Sequence, residues 1–197
     1  MLIVLLLLAG AHAQWRSLGP DGGDARSLSI DPRNPDHILL GTTTGEIYAS
    51  NDGGRSWTPW VHLGEVDDFA FDHIVFDSSA PETIYAAAWS VQREGGDVFR
   101  TRDGGRSWER LPALRRKSIR AFAQSSSDPR VLVAAAVDGV FRSDDGGERW
   151  RRITPVRHPE LRNFESLAID TRDPNTIYAG TWHLPWKTAD GGQSWQR

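Results

Sequence analysis

Two kinds of side chain in this sequence could do chemistry: carboxylates that could face one another, and tryptophans placed where a strand gives way to a loop. Glu65, Asp67 and Asp68 form an acidic run with His73 shortly after, and Glu160 and Glu165 lie in a later segment that could face them. Two carboxylates across a channel can do acid/base work on a glycosidic bond, one protonating the leaving oxygen while the other attacks or activates water. Asp68 with Glu160 is the candidate pair. Trp89 and Trp182 end the equivalent runs TIYAAAW and TIYAGTW, and Trp186 follows Trp182 across a proline-containing turn that also holds His183. Indoles beside a channel can stack on the apolar face of a sugar ring or grip a peptide. Trp89, Trp182, His183 and Trp186 are therefore candidate binding residues. The plainer alternatives are that an acidic run in a loop is solvated surface and that tryptophans between long loops fill space.

The elements that must position these residues announce themselves by repetition. SNDGGRSW begins at Ser50, TRDGGRSW at Thr101, SDDGGERW at Ser143 and TADGGQSW at Thr188, all following Ser/Thr-x-Asp-x-Gly-x-x-Trp. The aspartates step along the chain by 51, 42 and 45 residues. A fixed phrase at such a period signals repeat architecture. Each phrase lies in a unit of four short runs rich in β-branched, aromatic and small apolar residues, divided by Gly, Pro, Asp and Asn, and no window carries a helical period. The chain reads as all-β. In the first unit the strands are expected at about 26–31, 37–43, 46–50 and 56–60.

The phrase itself reads as the hairpin between the third and fourth strands of a unit. Its Asp can accept hydrogen bonds from the turn's own N–H groups, its glycines can take positive φ, and the Trp can pack between neighbouring units. On this reading Asp52, Gly54, Trp57, Asp103, Gly105, Trp108, Asp145, Gly147, Trp150, Asp190, Gly192 and Trp195 serve the fold. A calcium loop needs more oxygen ligands than Asp-x-Gly supplies. No metal or cofactor is expected.

Four-stranded units of this length stacked radially make a β-propeller. A sandwich would leave the recurring side chains of one turn unexplained. The blades are expected at 26–61, 69–111, 119–153 and 164–197. The segment QWRSLG at 14–19 resembles a fourth strand (compare SWERLP from Ser107) and is a surplus outer strand. Five fourth strands against four sets of the other three predict an incomplete ring. Further blades of a longer parent chain, or another copy, would complete it. In such a blade the first and third turns share one face. The opposite face receives the variable segments 61–69, 89–96, 112–118, 155–163 and 182–186, and a polysaccharide or protein partner is expected there.

The first residues, MLIVLLLLAGAHAQ, have an apolar core and small residues at Ala11 and Ala13, which fit a signal peptide over 1–13, although no Lys or Arg precedes the core. A buried N-terminal strand or helix is the alternative. The apolar run is too short to span a bilayer as a helix of about 20 residues. A secreted or periplasmic chain with no membrane span after cleavage is the expectation. There is no cysteine, the net charge is -3, and the densest basic stretch, Arg115-Arg116-Lys117, is too small for a nucleic-acid footprint.

The four phrases resemble the Asp-box, or BNR, repeats of sialidases, sortilin-type receptors, xyloglucan-active glycoside hydrolases and the exported assembly factors of photosystem II. Likeness to a sialidase would imply an arginine triad and a Tyr–Glu nucleophile pair. Here Arg26 and Arg120 stand near the starts of first strands, but Asp72 and Phe164 or Glu165 hold the other two positions. Tyr48, Tyr85 and Tyr178 recur as core residues. The xyloglucan-active enzymes are closer in their tryptophan-lined clefts, but their acid/base pair is split between two propellers. The assembly-factor likeness implies an arginine-rich patch, for which Arg115, Arg116 and Lys117 are candidates. The reading is an exported scaffold that binds a carbohydrate or protein partner without a complete catalytic site. The alternative is the N-terminal part of a glycoside hydrolase acting on β-glucan or xyloglucan.

Overall fold

The computed structural model describes residues 17–20, 24–65 and 67–197. The expected signal peptide at 1–13 and residues 14–16 of the surplus strand lie outside them, and residues 17–19 form no strand.

The described chain is four antiparallel sheets in sequence order. The first holds β1 (Ala25–Asp31), β2 (Asn34–Thr42), β3 (Glu46–Ser50) and β4 (Thr58–His62). The second holds β5 (Phe69–Phe76), β6 (Ile84–Ser90), β7 (Gly96–Thr101) and β8 (Glu109–Arg110). The third holds β9 (Ile119–Gln124), β10 (Leu132–Ala136), β11 (Gly139–Ser143) and β12 (Arg151–Arg152). The fourth holds β13 (Phe164–Ile169), β14 (Ile177–Thr181) and β15 (Pro185–Thr188). Its expected outer strand is reduced to one bridge between Lys187 and Gln196.

Strand alternation gives every sheet two faces, and here both can be apolar. The first strand of each sheet lies against the first two strands of the sheet before it: β5 on β1 and β2, β9 on β5 and β6, β13 on β9 and β10. Leu39, Ile47, Phe71, Ile74 and Phe99 fill the first junction. Tyr85, Val98, Phe122, Leu132 and Phe141 fill the second. Val133, Val140, Ile153, Phe164, Ile177 and Trp186 fill the third. The second strands carry Ala86, Ala87 and Ala88, and Ala134, Ala135 and Ala136, all without exposure, where larger side chains would hold the layers apart. Among the described residues no comparable packing joins the first sheet to the fourth. The described residues therefore make an open row of sheets, not a closed ring. Tyr85 is core as expected, whereas Tyr178 at the equivalent place in the fourth sheet is 44% exposed among the described residues.

The repeated turn has one geometry in all four copies. In the second, Thr101 Oγ1 donates to Asp103 Oδ1 at 2.8 Å and accepts the Gly105 N–H at 2.9 Å. The Ser107 N–H and hydroxyl close on the two carboxylate oxygens at 2.9 and 2.6 Å. Asp52, Asp145 and Asp190 are held by the same positions of their own turns, with the Arg149 guanidinium replacing the serine hydroxyl in the third. These bonds favour the ionised carboxylate and hold all four aspartates below their ordinary range, Asp103 and Asp145 at about 2. Both glycines take positive φ, 67° and 88° in the second copy. The closing tryptophans reach back to the preceding sheet: Trp108 meets Trp60 edge to face at 5.7 Å, and Trp195 Nε1 donates to Ile153 O at 2.8 Å.

Candidate binding site on the loop face

At the end of the sheets away from the repeated turns, every first strand carries an extra residue. The β1/β2 ladder skips Arg26, β5/β6 skips Asp72, β9/β10 skips Arg120 and β13/β14 skips Glu165. A bulge re-aims its side chain out of the strand's alternation. The result is a row of bulged charges, one per sheet, that alternates in sign.

These charges are engaged by a fixed set of neighbours. Arg26 Nε donates to Asp72 Oδ1 at 2.8 Å across the first junction. Trp89, on β6 beside that bulge, donates its indole N–H to Asp72 Oδ2 at 2.6 Å. Arg120 of the next sheet lies over the Trp89 ring, 3.8 Å from its centre. Its Nε is buried with no hydrogen-bond partner among the described residues. Trp182 repeats the arrangement in the fourth sheet, donating to Glu165 Oε1 at 2.8 Å, but its ring is 72% exposed.

Between the second and third sheets the loops enclose a recess of about 680 Å³, lined among others by Arg93, Arg116, Lys117, Arg120 and Asp138. Arg93 pairs with Asp68 at 3.1 Å, and Lys117 pairs with Asp138. Among the described residues Arg116 and Arg120 have no carboxylate within ion-pair distance. Arg116 is held at φ 61°, in the left-handed region that non-glycine residues rarely adopt, with its N–H donated to Asp97 Oδ1 at 3.0 Å. Burial pushes the Asp97 carboxyl up, against the Arg116 N–H and the charges of Arg110 and Arg115. His73, behind the bulge of its own strand, is pushed down by burial, with Nε2 3.0 Å from Arg120 O. The arrangement is suited to receiving an anionic group: cations on several sides, one of them partly desolvated on an aromatic face.

The candidate catalytic pair is not assembled. Asp68 is buried, accepts the Ser90 hydroxyl at 2.6 Å and gives its backbone carbonyl to the Val91 N–H at 2.8 Å, so it ties the 90–95 turn to the start of β5. Glu160 is ion-paired with Arg197 and lines a separate recess of about 280 Å³ with Trp182 and His183, which Asp68 does not reach. Asp68 is walled in by its partners, and the two carboxylates belong to different units.

Of the candidate binding residues, Trp186 is corrected outright. It is 6% exposed and packs in the third junction, with the His158 ring edge-on at 5.4 Å. On β15 it faces Ala179, as Phe99 faces Ala86 and Phe141 faces Ala134. Its register therefore makes it the third-strand core aromatic, a signal readable as the aromatic two residues before each Ser/Thr-x-Asp. Trp89 is partly buried with one ring face taken by Arg120. Trp182 and His183 are exposed. The residue that sequence reading passed over is Arg120 in its contact with Trp89. The signal was there: a charged residue within the first four positions of each first strand, alternating Arg, Asp, Arg, Glu.

No protein-family model matches the chain. A stretch of 97 residues is 27% identical to the probable oligoxyloglucan-reducing end-specific xyloglucanase of Neosartorya fischeri, covering 48% of this chain and 11% of that one. A stretch of 132 residues is 28% identical to the photosystem II assembly lipoprotein Ycf48 of Synechococcus sp., covering 64% of this chain and 35% of that one. The chain thus matches well under half the length of these curated relatives. Among solved structures, the GH74 enzyme of Niastella koreensis superposes with a TM-score of 0.71 at 20% identity, over 88% of this chain and 29% of the enzyme. YCF48 from Cyanidioschyzon merolae gives 0.63 at 17% identity, over 93% of this chain and 59% of that one. At these identities the likeness is one of fold.

Proposed function

We propose that the chain is an exported binding scaffold, a run of blades from a larger β-propeller with Asp-box turns on one face and a carbohydrate or protein partner on the other. The observation that carries this reading is the loop-face recess in which Arg116 and Arg120 lack carboxylate partners while the candidate acid/base pair is dispersed. Cations left without counter-charges in a concave site suit a partner that brings carboxylates. A protein segment rich in Asp and Glu, or one presenting its C-terminal carboxylate, fits that description better than a neutral sugar. The likeness to an assembly lipoprotein is consistent with it.

The test is calorimetric or fluorescence titration of the chain with an acidic peptide and, separately, with a neutral xyloglucan oligosaccharide. The reading expects the peptide to bind with a salt-sensitive affinity that Arg120→Ala abolishes. Neutral sugar binding that ignores salt and Arg120 would favour the carbohydrate partner instead. The glycoside hydrolase alternative rests on the likeness to xyloglucanases. It would be supported by reducing ends released from xyloglucan and lost in Glu160→Gln. Export is tested by the N-terminal residue of the chain recovered outside the cytoplasm, expected near Gln14.

A further inference from the structure

We infer that the Arg120 recess is one half of a two-part groove whose occupant is an extended acidic polypeptide. It crosses the β10–β11 turn to fill a second basic recess, and Asp138 on that turn is the groove's internal counter-charge. This rests on the reading of the loop face as a site for an acidic segment, and extends it to surface that reading does not use.

The second recess, of about 600 Å³, is lined by Val137, Asp138 and the link between β12 and β13. Val137 and Asp138 also line the Arg120 recess, so this short turn is the wall between the two. The wall is fixed from both sides. The Val137 N–H donates to Ser118 O at 3.2 Å, and the Val137 carbonyl accepts the Asn163 N–H at 2.7 Å. Among the described residues, Arg116 and Asn163 are the two non-glycine residues at positive φ, 61° and 57°, and one lines each recess. Backbone strain of that kind costs about 1–3 kcal/mol and collects at ligand clamps.

The second recess carries Arg152, Arg157 and Arg162. Among the described residues none of them has a carboxylate within ion-pair distance. The Arg152 guanidinium is anchored on backbone carbonyls, Thr154 O at 2.9 Å, Pro155 O at 3.2 Å and Asp138 O. Arg157 and Arg162 are exposed. Cations without counter-charges therefore stand on both sides of the wall. Asp138 holds the Lys117 ammonium, which also lies over the Phe141 ring at 5.0 Å. An incoming carboxylate meets a lysine already taken and a like charge beside it.

The lining also selects the occupant. Neither recess presents a Phe, Tyr or Trp among its lining residues, so a sugar ring finds no stacking face in either. Each presents one exposed valine instead, Val91 at 43% and Val156 at 76%. Arginines interspersed with aliphatic side chains match a polypeptide that alternates carboxylates with apolar residues. Joining two weak contacts on one chain raises affinity without any new contact.

The test is fluorescence anisotropy of labelled peptides of ten and of three glutamates, at low salt, titrated with the whole chain. Extended, they reach about 33 Å and about 10 Å, so the short one fits a single recess. The long peptide should bind more tightly, and Arg157→Ala with Arg162→Ala should weaken it about tenfold, the loss of two exposed charge contacts. Three-glutamate binding that depends on Arg120 should survive that double substitution. Asp138→Asn should tighten the long peptide about two- to fivefold, a gain that loss of structure could not produce. Circular dichroism would confirm that the double variant is folded. A long peptide that ignores Arg157 and Arg162, or an Asp138→Asn chain that gains nothing, overturns the inference while the Arg120 reading stands. Failure of both peptides to bind the wild-type chain overturns that reading and the inference with it. Polygalacturonate binding more tightly than the long peptide, through the same arginines, would overturn the choice of a polypeptide.

Discussion

The guanidinium of Arg120 rests 3.8 Å from the centre of the Trp89 ring, while the N–H of that same indole is held by Asp72 at 2.6 Å. Three residues from two sheets thus form one unit, in which the carboxylate orients the ring and the ring carries the cation. A cation over a tryptophan contributes about 0.5–2 kcal/mol, more when partly desolvated. Arg120→Ala should therefore lower stability by an amount in that range, read as a shift in urea midpoint with unchanged slope. Arg120→Lys should recover only part of it, because a compact ammonium cannot lie flat on the ring. An Arg120→Ala midpoint equal to wild type would show the stack to be idle in the fold.

The four turn aspartates predict a specific acid response. Asp103 sits at about 2 against an ordinary value of 3.8, held down by the Ser107 hydroxyl and N–H and the Thr101 hydroxyl, and Asp145 is likewise at about 2 through the Arg149 N–H and guanidinium. A carboxylate depressed in the folded state stabilises the fold above its unfolded value and loses that contribution as pH falls through its folded value. Stability should be flat near neutrality and fall between about pH 4 and pH 2. Asp103→Asn should lower the plateau and flatten the fall. Thermal unfolding at a series of pH values checks both, and a parallel pH profile in the variant would show that Asp103 takes no part.

Much of this was legible in the sequence because turn chemistry is local. Ser/Thr-x-Asp-x-Gly-x-x-Trp specifies its own hydrogen bonds within a few residues, so the turn and the four-strand unit around it follow from the phrase. The loop face was legible as a direction, since long loops alternate with short turns. What a tryptophan does was not legible from its type. Trp182 and Trp186 are four residues apart, yet one is exposed and the other is core, because Trp186 pairs with Ala179 inside the sheet while Trp182 lies just past the Phe164–Thr181 pair that ends β14. Asp68 likewise looked free in an acidic run, and its burial comes from Ser90 and Arg93, more than twenty residues on. The bulges are invisible locally, since an extra residue shows only when two strands are laid side by side.

The turn glycines separate two costs that usually come together. Gly54 and Gly105 are equivalent second glycines with φ of 84° and 88°. A methyl group on Gly54 would meet its nearest neighbour, Trp57, at an ordinary 3.6 Å, whereas on Gly105 it would collide with the Trp60 ring of the preceding sheet. Gly54→Ala should cost about 1–2 kcal/mol, the left-handed conformation alone. Gly105→Ala should cost clearly more, since Trp60 must also move and it packs on Trp108. Chemical denaturation of the two variants would settle the comparison, and equal losses would mean that the junction yields freely at Trp60.

The contrast between the two neighbouring tryptophans gives the sharpest test of register. Trp186→Ala empties a site in the third junction and should cost about 3–5 kcal/mol, the usual range for deleting a buried aromatic. Trp182→Ala removes an exposed ring and one hydrogen bond to Glu165, and should cost no more than about 1 kcal/mol. The Trp186 indole N–H is buried with no partner among the described residues, so the ring matters there as volume rather than as a donor. Trp186→Phe should accordingly be tolerated, losing a fraction of the alanine effect, and it repeats the choice already made at Phe99 and Phe141. If the phenylalanine variant unfolded as readily as the alanine one, Trp186 would have to be doing something its register does not explain.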